Sequence, residues 1–288
     1  MTRLSVVVPL LHTPMIGRTL AALERQTLDQ AEYEVIVVGM DKHELVRSSP
    51  SVRFDRSERP LSPAAARNRG VAQAGGEIVA FTDADCIPAP DWLAMLWARF
   101  ADAHAHVVGG SVDIETPNYW TLADNLSMFH DYLVGMPPGA RQQLPSLNLA
   151  IRRTVFLNVG GFDERYPRPS AEDSDLTMRL RRQGHTLHFE PRAVVLHRPS
   201  RDRLADVVRH GYFQGKYSTK VDPRYAGESG LPRLIRTRAG ILLGAPILAA
   251  GVTARILASN RSLWRYWYTF PAILAAKLAW CAGAAAHP

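Results

Sequence analysis

Two cysteines, Cys86 and Cys281, are all that this 288-residue chain contains, and they stand in no CxxC or metal-finger spacing. That excludes a disulfide scaffold and fits a reducing compartment. No long apolar run stands near the start. Leu4 to Val8 is too short for a signal peptide, and Pro9 follows where a small-residue cleavage site is needed. The expectation is a chain that stays in the cytoplasm. Internal repeats and low-complexity tracts are missing before residue 198, and 47% hydrophobic content excludes disorder.

What the chain has in excess is positive charge, and it is unevenly spread. Residues 1–197 carry 20 Lys+Arg against 23 Asp+Glu, a net of −3, whereas residues 198–265 carry 13 against 4, a net of +9. A near-neutral front with a basic back asks for an anionic partner. Arg201 to Lys220 has Leu204, Val207, Val208, Tyr212 and Gly215 at helical spacing, and a basic amphipathic helix fits a membrane surface. Ala239 to Ala254 follows without a charge, and Tyr266 to Ala286 is apolar but for Lys277. Between them Trp264-Arg265-Tyr266-Trp267-Tyr268 has the aromatic composition of a membrane–water interface.

About 20 apolar residues span a bilayer, so the first run is short, and it also holds Pro246. A two-span hairpin would set Arg255, Arg261 and Arg265 against Arg233, Arg236 and Arg238, with no positive-inside bias. The pattern therefore predicts helices lying in or dipping into the cytoplasmic leaflet of an anionic membrane. Nucleic acid is the weaker explanation, because phosphate binding does not call for apolar runs.

Up to residue 197 the elements alternate. Leu4 to Val8 reads as a buried strand stopped by Pro9, and Ile16, Leu20, Leu23 and Leu28 mark a helix. Tyr33 to Val38 and Val52 to Phe54 are further strands, and Ala64 to Ala74 is a helix stopped by Gly75-Gly76. Ile78 to Phe81 ends in Asp83-Ala84-Asp85, with Pro88 forbidding further pairing. A helix at Trp92–Phe100, a strand at Val107–Val112 and a helix around Leu122–Leu133 come next. Gly135-Met-Pro-Pro-Gly139 reads as a mobile loop over the site. Ser146 to Ile151 is extended, Val155–Val159 helical, and a helix starts near Ser170 and runs to Arg182. Two short strands, Thr186–Glu190 and Ala193–His197, close the region. Such βαβ succession predicts an α/β fold with a largely parallel sheet, whose ligands collect at the carboxyl ends of the strands.

Asp83 and Asp85 stand at such an end, where two carboxylates suit a divalent cation held against phosphate oxygens. In order there follow Leu147-Asn148, Arg152-Arg153, Gly160-Gly161-Phe162-Asp163-Glu164, Glu172-Asp173-Ser174-Asp175 and His197. This succession resembles the family 2 glycosyltransferases, inverting enzymes of the GT-A fold, from about Leu4 to about Gly215. The resemblance implies a nucleotide-diphospho-sugar transferase with a Rossmann-like mixed sheet. Residues 1–220 would form the catalytic domain and 221–288 a helical, membrane-associated region. It implies Mn²⁺ or Mg²⁺ as cofactor, a nucleotide-sugar donor, and a glycan or lipid-linked acceptor at the inner face of the cell membrane. By the same resemblance Asp85, His197 and Asp83 hold the metal, while Pro9, Asp41, Arg67 and Asp83 contact the donor. Asn148 and Glu172 meet the acceptor, and Asp173 is the general base, with Glu172 orienting the acceptor.

Other readings of these residues stand beside that one. Ser170-Ala171-Glu172-Asp173 is also a possible capping box, and Arg67 a possible helix-surface residue. Two departures lie at the nucleoside end. After the second strand only Asp41 remains of the family's aspartate pair, displaced in register. The loop Leu10-Leu11-His12-Thr13 lacks the family's aromatic, Asn and acidic residues. That loop also has no glycine, which counts against a nucleotidyltransferase, while the changes near Gly39-Met40 are the best argument for a non-catalytic scaffold on the same fold.

Overall fold

The computed structural model describes residues 2–116, 118–225, 227 and 237–287. They fall into two compact units. The first is Met1–Asp113 with Tyr132–His197, and the second is Ile114–Asp131 with Arg198–Pro288. This division departs from a boundary at 220/221, because the helix at 204–216 packs within the second unit.

In the first unit, strands β1 (Leu4–Leu11), β2 (Tyr33–Met40) and β4 (Ile78–Thr82) are mostly Val, Ile, Leu and Phe. They are almost wholly buried, as strands covered on both faces must be. With β3 (Val52–Arg56), β5 (Cys86–Pro88), β6 (Val107–Asp113), β7 (Gly139–Arg141), β8 (Asn148–Arg152) and β9 (Leu187–His197) they form one nine-stranded sheet. Its order is β3-β2-β1-β4-β8-β6-β9-β5, with β7 also on β9. The β1, β2, β3 and β4 ladders are parallel, and β8 runs antiparallel to both β4 and β6. The sheet is therefore mixed. Helices α1 (Ile16–Glu24), α2 (Pro63–Val71), α3 (Trp92–Arg99), α5 (Arg153–Asn158) and α6 (Glu172–Arg182) belong to the same unit. Under the strand ends Phe81 packs on Phe156 and Phe162, with ring centroids 5.5 and 5.2 Å away.

Three segments differ from their sequence patterns. Pro9 does not end β1, which runs on to Leu11; its ladder with β4 stops at Val7–Phe81, so one side of the strand is open where the proline falls. The two strands expected at 186–197 are one, β9, whose register against β6 shifts between Gly110 and Ser111. The bulge absorbs Pro191 without breaking the strand. The loop expected at 135–139 runs into β7, which pairs with the first half of β9 while β5 pairs with its last three residues.

The second unit is helical: α4 (Tyr119–Phe129), α7 (Leu204–Lys216), α8 (Arg238–Ala258) and α9 (Phe270–Ala285). A 3₁₀ stretch, Arg261–Thr269, joins the last two. By length and composition α8 can cross a membrane, with a mean hydropathy of 1.9 over its most apolar window and 22% of that window buried. Leu243 and Ile247 on α8 are 83% and 80% exposed, and Trp264 and Trp267 are also exposed. Arg233 and Arg236 of the basic stretch lie outside the described residues.

Helices α7 and α9 cross in close contact because three glycines let them. A Cβ on Gly211 would collide with the carbonyl of Ala276, one on Gly215 with that of Trp280, and one on Gly283 with that of Tyr212. Gly251 on α8 meets nothing within 4 Å. Gly215→Ala is accordingly expected to cost about 1–3 kcal/mol through overpacking. Gly251→Ala should add up to about 1 kcal/mol through helix propensity. Thermal melts of the two variants check this, and a Gly215→Ala protein as stable as wild type would remove the close crossing.

Candidate active site

The site is assembled by strand ends and by one helix start. β4 delivers Asp83 just beyond its last residue, and a tight turn, in which Cys86 donates its amide to the Asp83 carbonyl at 3.0 Å, brings the chain back as β5. β5 pairs antiparallel with β9, placing Cys86 opposite His197. Asp85, next in sequence, thereby comes to the end of β9, with its Oδ1 3.8 Å from His197 Nε2. Ligand atoms of Asp85, Cys86 and His197 lie within 4.8 Å of one another. His197 and Cys86 are buried, and Asp85 is partly open. Burial first, then the Asp85 and Asp83 carboxylates, push the Cys86 thiol well above its usual range.

Arg67 projects from α2, a helix started by Ser62, whose hydroxyl accepts from the Ala65 amide, and by Pro63 at its first turn. Its guanidinium is 2% exposed and lies 5.3 Å from the Phe162 ring centroid. Nη2 donates to Asp83 Oδ1 at 2.6 Å and Nη1 to Glu172 Oε1 at 3.0 Å. This one cation thus joins the carboxylate after β4 to the carboxylate that opens α6. The structure assigns Arg67 an ion-pairing role inside the protein, where the sequence offered a donor contact or a surface residue. Asp83 faces Arg67 and lies outside the cluster formed by Asp85, Cys86 and His197.

The residue before Glu172, Ala171, has φ +66°, a left-handed conformation in which a non-glycine residue is strained. α6 begins at Glu172, with Ala171, whose methyl side chain cannot cap, at the N-cap position. Asp173 accepts the Ser146 amide at 3.3 Å on Oδ2 and the Ser174 amide at 2.7 Å on Oδ1. Burial first, and then the neighbouring Asp173 charge, raise the Glu172 pKa to about 7 against the opposing pull of Arg67. Burial also raises that of Asp173. Glu172 is buried against Arg67, whereas Asp173 is half-exposed.

Two expected ligand residues have other work. Asn148 is fully buried: its Oδ1 accepts from Trp92 Nε1 at 2.8 Å and its Nδ2 donates to the carbonyls of Ser111 and Ala193, both at 2.8 Å. It ties β8 to β6, β9 and α3. Asp41 accepts from the amides of His43, Leu45 and Val46 at 3.0, 2.6 and 2.8 Å, which hold its pKa low against the effect of its burial. Its carboxylate builds the turn after β2. Pro9 lies within β1, paired with Val38. Nothing in the sequence signalled the Trp92–Asn148 bond or the Ser146 amide beneath Asp173, because both depend on pairings between distant segments.

The mixed nine-stranded sheet with its helices is the architecture of the GT-A fold. Residues 5–159 match the sequence profile of Glycosyl transferase family 2, and the chain belongs to that family. It is a glycosyl transferase. It is 29% identical over 226 residues to glycosyltransferase AglE of Haloferax volcanii, covering 75% of this chain and 73% of that protein. It is 33% identical over 169 residues to a pre-mycofactocin glycosyltransferase of Mycobacterium tuberculosis, covering 57% of this chain and 35% of that one. Its fold is similar to that of the Pyrobaculum calidifontis mannosyltransferase PcManGT, solved with GDP-Man and Mn²⁺. That similarity has a TM-score of 0.60 at 21% identity, over 95% of this chain and 85% of that one. The residue 1–349 structure of S. aureus TarS is similar at TM-score 0.56 and 16% identity, over 96% and 90% of the two chains.

Removing the cation that joins Asp83 to Glu172 tests the site's electrostatics. Arg67→Met leaves a buried carboxylate uncompensated and is expected to destabilise by about 3–5 kcal/mol. Adding Glu172→Gln should return a substantial part of that loss. Urea denaturation of the single and double variants measures both, and equal losses in the two would show that Arg67 and Glu172 are not coupled.

Proposed function

We propose that this chain is a metal-dependent, inverting glycosyltransferase that moves a sugar from a nucleotide-sugar donor to a glycan or lipid-linked acceptor at the inner face of the cell membrane. One observation carries the reading: Asp85 stands 3.8 Å from His197 in the unit where Arg67 binds Asp83 to the Glu172-Asp173 pair. A carboxylate and an imidazole suit Mn²⁺, and Mg²⁺ through the carboxylate, with coordination positions left for diphosphate oxygens. When bound there, the cation supplies Lewis-acid neutralisation of the charge that grows on the departing diphosphate. The mannosyltransferase PcManGT was solved with GDP-Man and Mn²⁺, and the same donor class is proposed here.

The remaining steps belong to side chains. Asp173, half-exposed and fixed through two backbone amides, takes the proton of the acceptor hydroxyl as that oxygen attacks the anomeric carbon. Attack from the side opposite the diphosphate inverts the configuration. Glu172 orients the acceptor and, with Arg67, sets the charge felt by Asp173. Because both carboxyls titrate above their ordinary range, the base is lost to protonation at higher pH than a surface aspartate would be. Activity should therefore fall as pH drops, at higher pH than for an enzyme whose base is an ordinary surface aspartate.

Calorimetric titration with a panel of nucleoside diphosphates and Mn²⁺ tests the donor assignment. Asp85→Ala should abolish Mn²⁺-dependent affinity, and undiminished affinity overturns the metal assignment. Asp173→Asn should keep donor affinity and lower turnover by about 10² to 10⁴. Collapse of donor binding with high residual turnover places the base elsewhere. Failure of every nucleotide to bind favours the non-catalytic scaffold.

The membrane part of the proposal rests on the +9 charge of residues 198–265 and on the exposed apolar residues of α8 and the 3₁₀ stretch. Basic residues near an anionic leaflet contribute about 1 kcal/mol each, screened by salt, while apolar insertion is not screened. Full-length protein should co-sediment with anionic vesicles and resist high-salt extraction. Recovery in the supernatant at low salt removes the membrane from the reading.

A further inference from the structure

The second unit contains a cavity of about 100 Å³ that the transfer reaction does not use. One wall is apolar, built by Ile241, Leu248 and Val252 of α8 and by Trp280 of α9. The other presents two primary amines, Lys220 and Lys277. Lys277 donates to the Ser127 carbonyl at 2.9 Å, which leaves two of its three N–H groups for another partner. Among the described residues, neither lysine is within ion-pair distance of a carboxylate. The nearby acids are committed elsewhere. Asp124 pairs with Arg201 at 3.1 Å and His210 at 2.8 Å, and Asp131 faces the His130 ring at 3.5 Å. Arg255 adds a further positive charge felt by Lys220.

The two amines beside the apolar wall are answered only beyond ion-pair distance, Lys277 by Asp124 and Lys220 by Asp131. Burial first, then the charge of Lys220, pull the Lys277 pKa down to about 8 against the pull of Asp124. An anion that enters the cavity offsets the repulsion between the two lysines. α8, which forms the apolar wall, also carries Leu243 and Ile247 into solvent and is the helix apolar enough to enter a bilayer.

We propose that this cavity is a binding site for the phosphate headgroup of an anionic lipid, with Lys220 and Lys277 on the phosphate and the first methylenes of the acyl chain along Ile241, Leu248 and Val252. The assignment rests on the membrane reading above and specifies where on the second unit a lipid is held. Charge complementarity selects the occupant: the amines call for an anion, and the apolar wall calls for a chain attached to it.

The test uses full-length protein and dihexanoyl phosphatidic acid as monomers, followed by calorimetry. Wild type should bind it. Lys220→Met and Lys277→Met, each confirmed as folded by its melt, should bind at least about tenfold more weakly, equivalent to about 1.4 kcal/mol. Lys220→Arg should keep the affinity. Dihexanoyl phosphatidylcholine and inorganic phosphate should both bind at least about tenfold more weakly than phosphatidic acid. Unchanged affinity in both methionine variants overturns the site. Inorganic phosphate binding as tightly as phosphatidic acid overturns the lipid and leaves a simple anion pocket. Vesicle sedimentation of wild type separates the two ideas. If the protein sediments but the methionine variants bind the short lipid normally, the cavity assignment fails and the membrane reading stands. If the short lipid binds in a lysine-dependent way and vesicles do not, the membrane reading fails and the cavity assignment stands.

Discussion

The guanidinium of Arg67 is the constraint on which the first unit depends. A buried cation is tolerable only when carboxylates answer it, and Arg67 is answered by two that arrive from well-separated segments of the chain. Asp83 comes with β4, 16 residues beyond Arg67, and Glu172 comes with α6, 105 residues beyond it. Because the planar fork fixes both distances at once, the end of the sheet and the start of α6 cannot shift independently. The Phe162 ring beneath the guanidinium belongs to the same aromatic cluster as Phe81 and Phe156, so the core and the ion pairs position each other.

Strain and burial accumulate around that fork. Ala171 sits in a left-handed conformation one residue before Glu172, and the raised Glu172 pKa reflects a carboxyl kept out of water beside another acid. Both are costs that the surrounding sheet supports, and both fall at the start of α6 beside Arg67. The second unit solves a different problem. Its helices gain little from ion pairs at their crossing and instead use backbone contact, with glycines on α7 and α9 removing the side chains that would hold them apart.

Much of this was legible in the residues themselves. The buried strands read as β-branched runs, and the Asp83-Ala84-Asp85 turn stands directly after the strand that contains the Ile78–Phe81 run, as its pattern predicts. Local signals misled where tertiary context outweighed them. Pro9 looked like a strand end, but one side of β1 is open there, so the missing donor does not break the ladder. Pro191 looked like a gap between two strands and is a bulge in one. Asn148 and Asp41 had the right chemistry in the right motif order, yet their polar atoms are taken by Trp92 and by the turn after β2. Which partner a polar side chain finds depends on which segments the fold brings beside it, and that is not written in spacing.

The route of the chain between the two units has a mechanical consequence. The backbone leaves the first unit after Asp113, comes back at Tyr132, and leaves again after His197. His197 is thus both the last residue of β9 and the attachment point for everything from Arg198 onward. Three rungs to β5 anchor this terminus, and the rung opposite Cys86 carries the Asp85 neighbour. The end of β9 is held on both sides, by the three rungs to β5 and by Ser111–Asp113 of β6, so the residue facing Asp85 is fixed by two neighbouring strands at the point where the chain departs.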